Sequence, residues 1–189
     1  MNIGDVVKKY ESGSSGPGTI STGKGDPGGK SYGTYQLSLN TGTLNAYLKS
    51  SKYKTKFSGM KLGSAKFDTM WKYLAASDTD SFNDDQHAFI SRTHYKPARD
   101  YADTLNLPST NAINEVIWSM SVQHGKVKTI LKNVYDRADN TMTEREIVDL
   151  LYDERCAYIG RIGLSHNLIK NLLTRYKNEK LDIITNFGL

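Results

Sequence analysis

ESGSSGPGTISTGKGDPGGKSYGTYQLSLNTG, residues 11–42, decides how the rest of the chain is read. It holds nine of the sixteen glycines, with Pro17 and Pro27 among them. No helix runs through such a stretch, because glycine loses the most backbone entropy on ordering and proline lacks the amide a helix needs. Strand character is confined to residues 19–22 and 30–38, and the GKGDPGG between them reads as a turn. The segment predicts a small β-hairpin or an irregular three-stranded flap.

Upstream, Ile3, Val6, Val7 and Tyr10 recur at i, i+3, i+4 and i+7, one face of a short amphipathic helix with Glu11 at its C-terminal end. Downstream, helical patterns cover 43–49, 65–76, 81–101, 111–124, 127–136, 143–162 and 166–184. Thr143 followed by Glu146 is a capping box, and Gly125 after His124 reads as a helix stop. No fixed-period repeat or long heptad seam appears. The expected fold is α+β, mostly helical with a small glycine-rich β-hairpin lobe. It is expected as one domain over 1–189, with the β element at about 12–40 and the helical body at about 41–189.

The chain of 189 residues is 38% hydrophobic and 24% charged, an ordinary globular composition. A net charge of +5 and a pI near 9.1 favour a polyanionic partner. The cations are spread along the chain rather than gathered in an arm, so a solvated basic surface is expected and nucleic acid is not. MNIGDVVKKYESG lacks a basic segment leading into an apolar run, and no later window is long and apolar enough to span a bilayer. Cys156 is the lone cysteine, so no internal disulfide forms. These features imply synthesis in a reducing cytoplasm without a signal peptide, and delivery by other means if the target is the wall or periplasm.

Between residues 11 and 42 the only acidic side chains are Glu11 and Asp26. A folded-back hairpin would let them face each other across a cleft, as glycoside hydrolysis requires of its two carboxyl groups. Glu11, after an apolar helix face, suits the protonated acid, and Asp26, among glycines beside Lys24, suits the ionised partner. Each residue also has a local explanation, as a helix-end glutamate and a turn aspartate. The stretch SYGTYQLS tips the balance. Tyr32 and Tyr35 offer rings for stacking on pyranoses, while Ser31, Thr34 and Gln36 offer hydrogen bonds to sugar hydroxyl or acetamido groups. His124, after Gln123, is a further candidate to line the cleft.

With these residues assembled, Glu11-Ser12-Gly13, GPGTISTGKGDPGG and SYGTYQLS resemble the start of chitosanase-like peptidoglycan hydrolases of the lysozyme superfamily. That group includes phage lysins and C-terminal domains of type VI secretion spike effectors. QHAFISRTHY at 86–95 and NEVIWSMSVQHG at 114–125 resemble its later helical motifs. The resemblance implies a lysozyme-like fold and an endolysin-type, muramidase-like hydrolase cutting β-1,4 bonds of peptidoglycan glycan strands. It implies that Glu11 and Asp26 are the catalytic pair of an inverting mechanism, in which such carboxyls lie about 6.5–9.5 Å apart around a water. It implies no cofactor or metal, no membrane insertion and a monomer. Gly33 to Gln36 also fits the Gly-x-x-Gln of lytic transglycosylases, which work with a single acid. A chitosanase and a non-catalytic wall-binding or phage structural protein compete with both.

His87, His94 and His124 raise the question of a zinc site, but their spacing suits packing and hydrogen bonding between helices. Cys156, ten residues from His166, suits core packing rather than a cysteine nucleophile. Trp71 and Trp118 sit in apolar helical patterns and are expected as core anchors.

Overall fold

The computed structural model describes residues 3–11, 16–24 and 28–189, Glu11 in its backbone only. The element order is α1 (Lys8–Glu11), β1 (Ser31–Tyr32), β2 (Leu37–Ser38), α2 (Thr43–Ser50), a 3-10 turn (Lys54–Phe57), α3 (Ala65–Ser77) and α4 (Thr79–Ile90). A π-helical turn (Ser91–Tyr95) then leads into α5 (Lys96–Thr104), α6 (Asn111–Gln123), α7 (Val127–Arg137), α8 (Glu144–Arg161) and α9 (His166–Phe187). The described chain is therefore α+β and mostly helical. No described helix is long and apolar enough to cross a membrane.

The chain gathers into two compact units, Ser12–Thr93 and Met1–Glu11 with His94–Leu189. In the first, β1 and β2 pair antiparallel with Tyr32 opposite Leu37, and Ile20 bridges Tyr32 from the other side. This is the small β-hairpin, two-stranded with one isolated bridge, although its tightest turn is Gly33–Gln36, inside the stretch that reads as one strand. Gly33 and Gln36 both take positive φ, 78° and 49°, and reverse the chain there. The hairpin packs on α2, and α3 packs on α4. The core is aromatic: Tyr32, Tyr47, Phe67, Trp71 and Phe82 are fully buried, and Trp71 meets Phe82 edge-on with centroids 4.8 Å apart.

In the second unit α6 is buried nearly all round, so it is the helix about which the others pack. α8 and α9 lie against it and each other, α5 and α7 complete the bundle, and α1 also rests on α6. Thr143 and Glu146 form the capping box at the start of α8.

Two boundaries differ from the sequence reading, each for a local reason. The N-terminal helix shrinks to Lys8–Glu11 because Gly4, at φ 91°, turns the chain before it. The continuous helix over 81–101 is interrupted, because Pro97 has no amide for the carbonyl of Thr93 and the chain widens before restarting with proline in its first turn. Cys156 is only partly covered, not core.

Candidate functional site

Asp26 lies outside the described residues, as do Ser12 and Gly13, and Glu11 is placed by its backbone alone. Glu11 is the last residue of α1, where the helix gives way to the glycine-rich segment. That helix is fixed within its unit: Tyr10 donates its phenol to Asp182 of α9, and Lys9 pairs with the same carboxylate at 2.7 Å. Burial, then Asp182, pushes the Tyr10 phenol up to about 12, so it remains a donor at physiological pH.

The hairpin is built from polar side chains that serve one another. The Ser31 hydroxyl donates to Gln36 Oε1 at 2.5 Å and lies 2.8 Å from the Ser21 hydroxyl. Gln36 turns its amide nitrogen onto the carbonyl of Gly33 at 2.8 Å, which stabilises its own left-handed backbone. Thr34 is buried, donating its amide to Gln86 Oε1 at 3.0 Å and its hydroxyl to Asn83 at 2.8 Å. Gln86 donates in turn to the carbonyl of Pro17, as the Trp71 indole does, which pins the entry of the glycine-rich segment. Gly33 suits its position because φ 78° is a backbone that L side chains rarely adopt, and a Cβ there would also displace the Gln86 amide.

The two tyrosines part company. Tyr32 is wholly buried, edge-on to Phe67 and Trp71 at 5.2 Å each, and donates to Asp68 at 2.6 Å, so it has no ring face to offer a sugar. Tyr35 is half-buried, with its hydroxyl 2.7 Å from His87 Nδ1. Of the hairpin side chains proposed for ligand contact, Tyr35 combines a partly open ring with a fixed hydroxyl.

His124 belongs to the other unit and is buried at the end of α6. Its Nε2 accepts from the Arg155 guanidinium at 3.3 Å and lies 3.1 Å from the Tyr176 hydroxyl. Burial, then Arg155, pushes it down to about 3, so it stays neutral and acts as an acceptor inside the helical packing. Arg155 and Glu179 pair at 2.6 Å with both side chains fully buried. Among the described residues no three of His, Cys, Asp and Glu are grouped to hold a metal ion. His87 is engaged by Tyr35, and burial lowers His94.

Sequence reasoning missed the supports. Asn83, Gln86 and His87 fall at i, i+3 and i+4 on the face of α4 that receives the hairpin, a polar stripe that signals a partner when the rest of a helix face is apolar. Glu115 is the other omission, a lone acid among AINEVIWSMS that is buried in α6. A carboxylate in an apolar run is the signal that marks it.

The fold and these networks define a mostly helical α+β module with a polar-braced hairpin. The chain belongs to the family of type VI secretion system spike protein VgrG3-like C-terminal regions, whose model matches residues 3–180. It is 37% identical over 164 residues to the type VI secretion system spike protein VgrG3 of Vibrio cholerae serotype O1. That alignment takes in 85% of this chain and 16% of the relative, so the chain spans a small part of the relative's length. This corrects the resemblance to chitosanase-like lysozyme-superfamily hydrolases and phage lysins: the matched family is that of a secretion spike protein's C-terminal region.

Proposed function

We propose that this chain is the wall-acting C-terminal part of a type VI secretion spike, cleaving β-1,4 glycosidic bonds in bacterial peptidoglycan. Glu11 protonates the leaving oxygen and Asp26 activates the water, an inverting scheme that needs no metal or organic cofactor. Tyr35, on the hairpin braced by Ser31, Thr34 and Gln36, stacks on the glycan. The secretion apparatus brings the protein from the cytoplasm to the wall. A lysozyme-like arrangement of helices around the hairpin belongs to the same reading. The observation that carries it is the placing of Glu11 as the last residue of an anchored helix, next to the glycine-rich segment.

Mass spectrometry of sacculi digested by the purified chain tests the proposal. Reducing sugar ends released by the wild type and lost in Glu11→Gln and Asp26→Asn are expected. Products ending in 1,6-anhydro sugars would assign a transglycosylase and remove Asp26 from its role. Cleavage of chitosan but not sacculi would replace the substrate. A second reading, a spike-associated module that binds the wall without cutting it, is favoured by the name of the relative, a spike protein. Sedimentation with sacculi and no soluble product would support it.

A further inference from the structure

We propose that Glu115 is the positioning residue for Glu11, holding residues 4–7 on α6 and so fixing where α1 lies. The inference rests on the catalytic role proposed for Glu11. Gly4 donates its amide to Glu115 Oε1 at 2.6 Å, across 111 residues of sequence. The Val6 and Val7 amides also face the carboxyl and favour its charge. Oε2 is buried with no hydrogen-bond partner among the described residues. Gly4 allows the approach: at φ 91° it takes a backbone that L side chains resist, and a Cβ would sit 2.7 Å from the Trp118 ring. From there the chain runs directly into α1, with Tyr10 donating its amide to the carbonyl of Val7 at 2.9 Å. Buried inside an apolar helix, the Glu115 carboxyl meets the backbone of residues 4–7, and an alanine there would leave the Gly4 amide without its acceptor.

The grip depends on protonation. Among the described residues, the titratable groups that face Glu115 are Asp5, whose charge opposes its ionisation, and the Tyr95 phenol. Burial, the largest effect, raises Glu115 to about 7 against an ordinary 4.5. Burial outweighs the three amides, so with the segment in place the carboxyl favours the protonated form, while release into water lets the group ionise. Attachment is strongest below the ordinary carboxylate range and weakens as pH rises to about 7. The attached population falls by up to about two orders of magnitude relative to the released one, from the size of that shift.

Hydrogen exchange followed by mass spectrometry on the 3–10 peptide, with the 147–155 peptide of α8 as internal reference, tests this between pH 5.5 and 8. In the wild type, exchange at 3–10 relative to the reference rises across this range. In Glu115→Gln, which keeps an acceptor for Gly4 and cannot ionise, the ratio stays flat. Gly4→Ala drives the segment off Trp118 and gives a high ratio at both pH values. Equal pH dependence in wild type and Glu115→Gln, or protection retained in Gly4→Ala, overturns the proposal. With sacculi as substrate, Glu115→Gln retains a larger share of its pH 5.5 rate at pH 8 than the wild type does. If the wild type releases no glycan while the exchange pattern appears, the catalytic reading fails and the anchoring by Glu115 stands.

Discussion

Gly33 shows what a single residue settles in this chain. At φ 78° it turns the hairpin, and it leaves room for Gln86 to accept from the Thr34 amide. Gly33→Ala is expected to cost about 2 kcal/mol or more, the left-handed strain plus displacement of Gln86. Gly125→Ala, where φ is not positive and nothing lies within 4 Å, is the control, expected within about 0.5 kcal/mol of wild type in the same urea melts. A Gly33→Ala melt as close to wild type as the control would show that Gln86 swings aside freely. Tyr32 and Tyr35 mark the limit of reading at this scale. Both stand in SYGTYQ as equal candidates for a sugar platform, and composition does not separate them. The pairing of Tyr32 with Ile20 on one side and Leu37 on the other makes it core, and that pairing depends on backbone angles at Gly33 and Gln36. Trp71 and Trp118 were legible because each stands in a helix whose own apolar neighbours declare a buried face.

Helices were legible to within a residue or two wherever a cap and a periodic face agree, as at Thr143 with Glu146 or Thr110 before α6. Legibility failed where a helix is set by groups distant in sequence. α8 buries Glu154 and Arg155 among its apolar residues, and nothing local to them announces the partners. Those partners of Arg155 come from α6 and α9: Ser119 accepts from it at 2.9 Å, Gln123 at 2.6 Å and Glu179 at 2.6 Å, and the guanidinium lies 4.1 Å from the centre of the Tyr176 ring. Arg155→Met is therefore expected to destabilise by about 3 kcal/mol, since it leaves the buried Glu179 with only Arg175 at 3.2 Å and the Tyr152 phenol, and frees the Ser119 and Gln123 acceptors. Arg137→Met removes an exposed arginine but leaves the buried Glu154 with Asn133 at 3.1 Å and Arg161 at 3.6 Å, and is expected to cost about 1 kcal/mol. Comparable losses for the two in denaturant melts would contradict this ranking. The acid side carries a further sign. Burial resists the charge on Glu179, but Arg155 and its neighbours hold the carboxyl below its ordinary value of 4.5. Its contribution is present above that value and is lost as pH falls through the lowered one, so Arg155→Met flattens the acid limb of the stability curve.

At the scale of the whole molecule, the order of the chain matters more than any one contact. Residues 4–10 and the chain from His94 onward build one unit, so that unit closes only when the stretch before and the stretch after 12–93 are both in place. Folding of the 12–93 unit shortens the loop the other must close, closing the other unit ties the two ends of 12–93, and for roughly 80 residues that closure costs on the order of 4 kcal/mol. The coupling is reciprocal, because it is one loop seen from two sides. Each unit also carries its own reporter, Trp71 in one and Trp118 in the other, both fully buried. Trp118→Phe leaves emission from the 12–93 unit alone, and Trp71→Phe leaves emission from the other. The one-domain reading of the sequence predicts that thermal melts of these two variants, each corrected by its own circular dichroism midpoint, report coincident unfolding. A fluorescence midpoint displaced from the circular dichroism midpoint in either variant would divide the chain into two independently melting domains. Glu11 and Asp26 would then stand on separately folding pieces, and loss of glycan release would begin with the less stable of them.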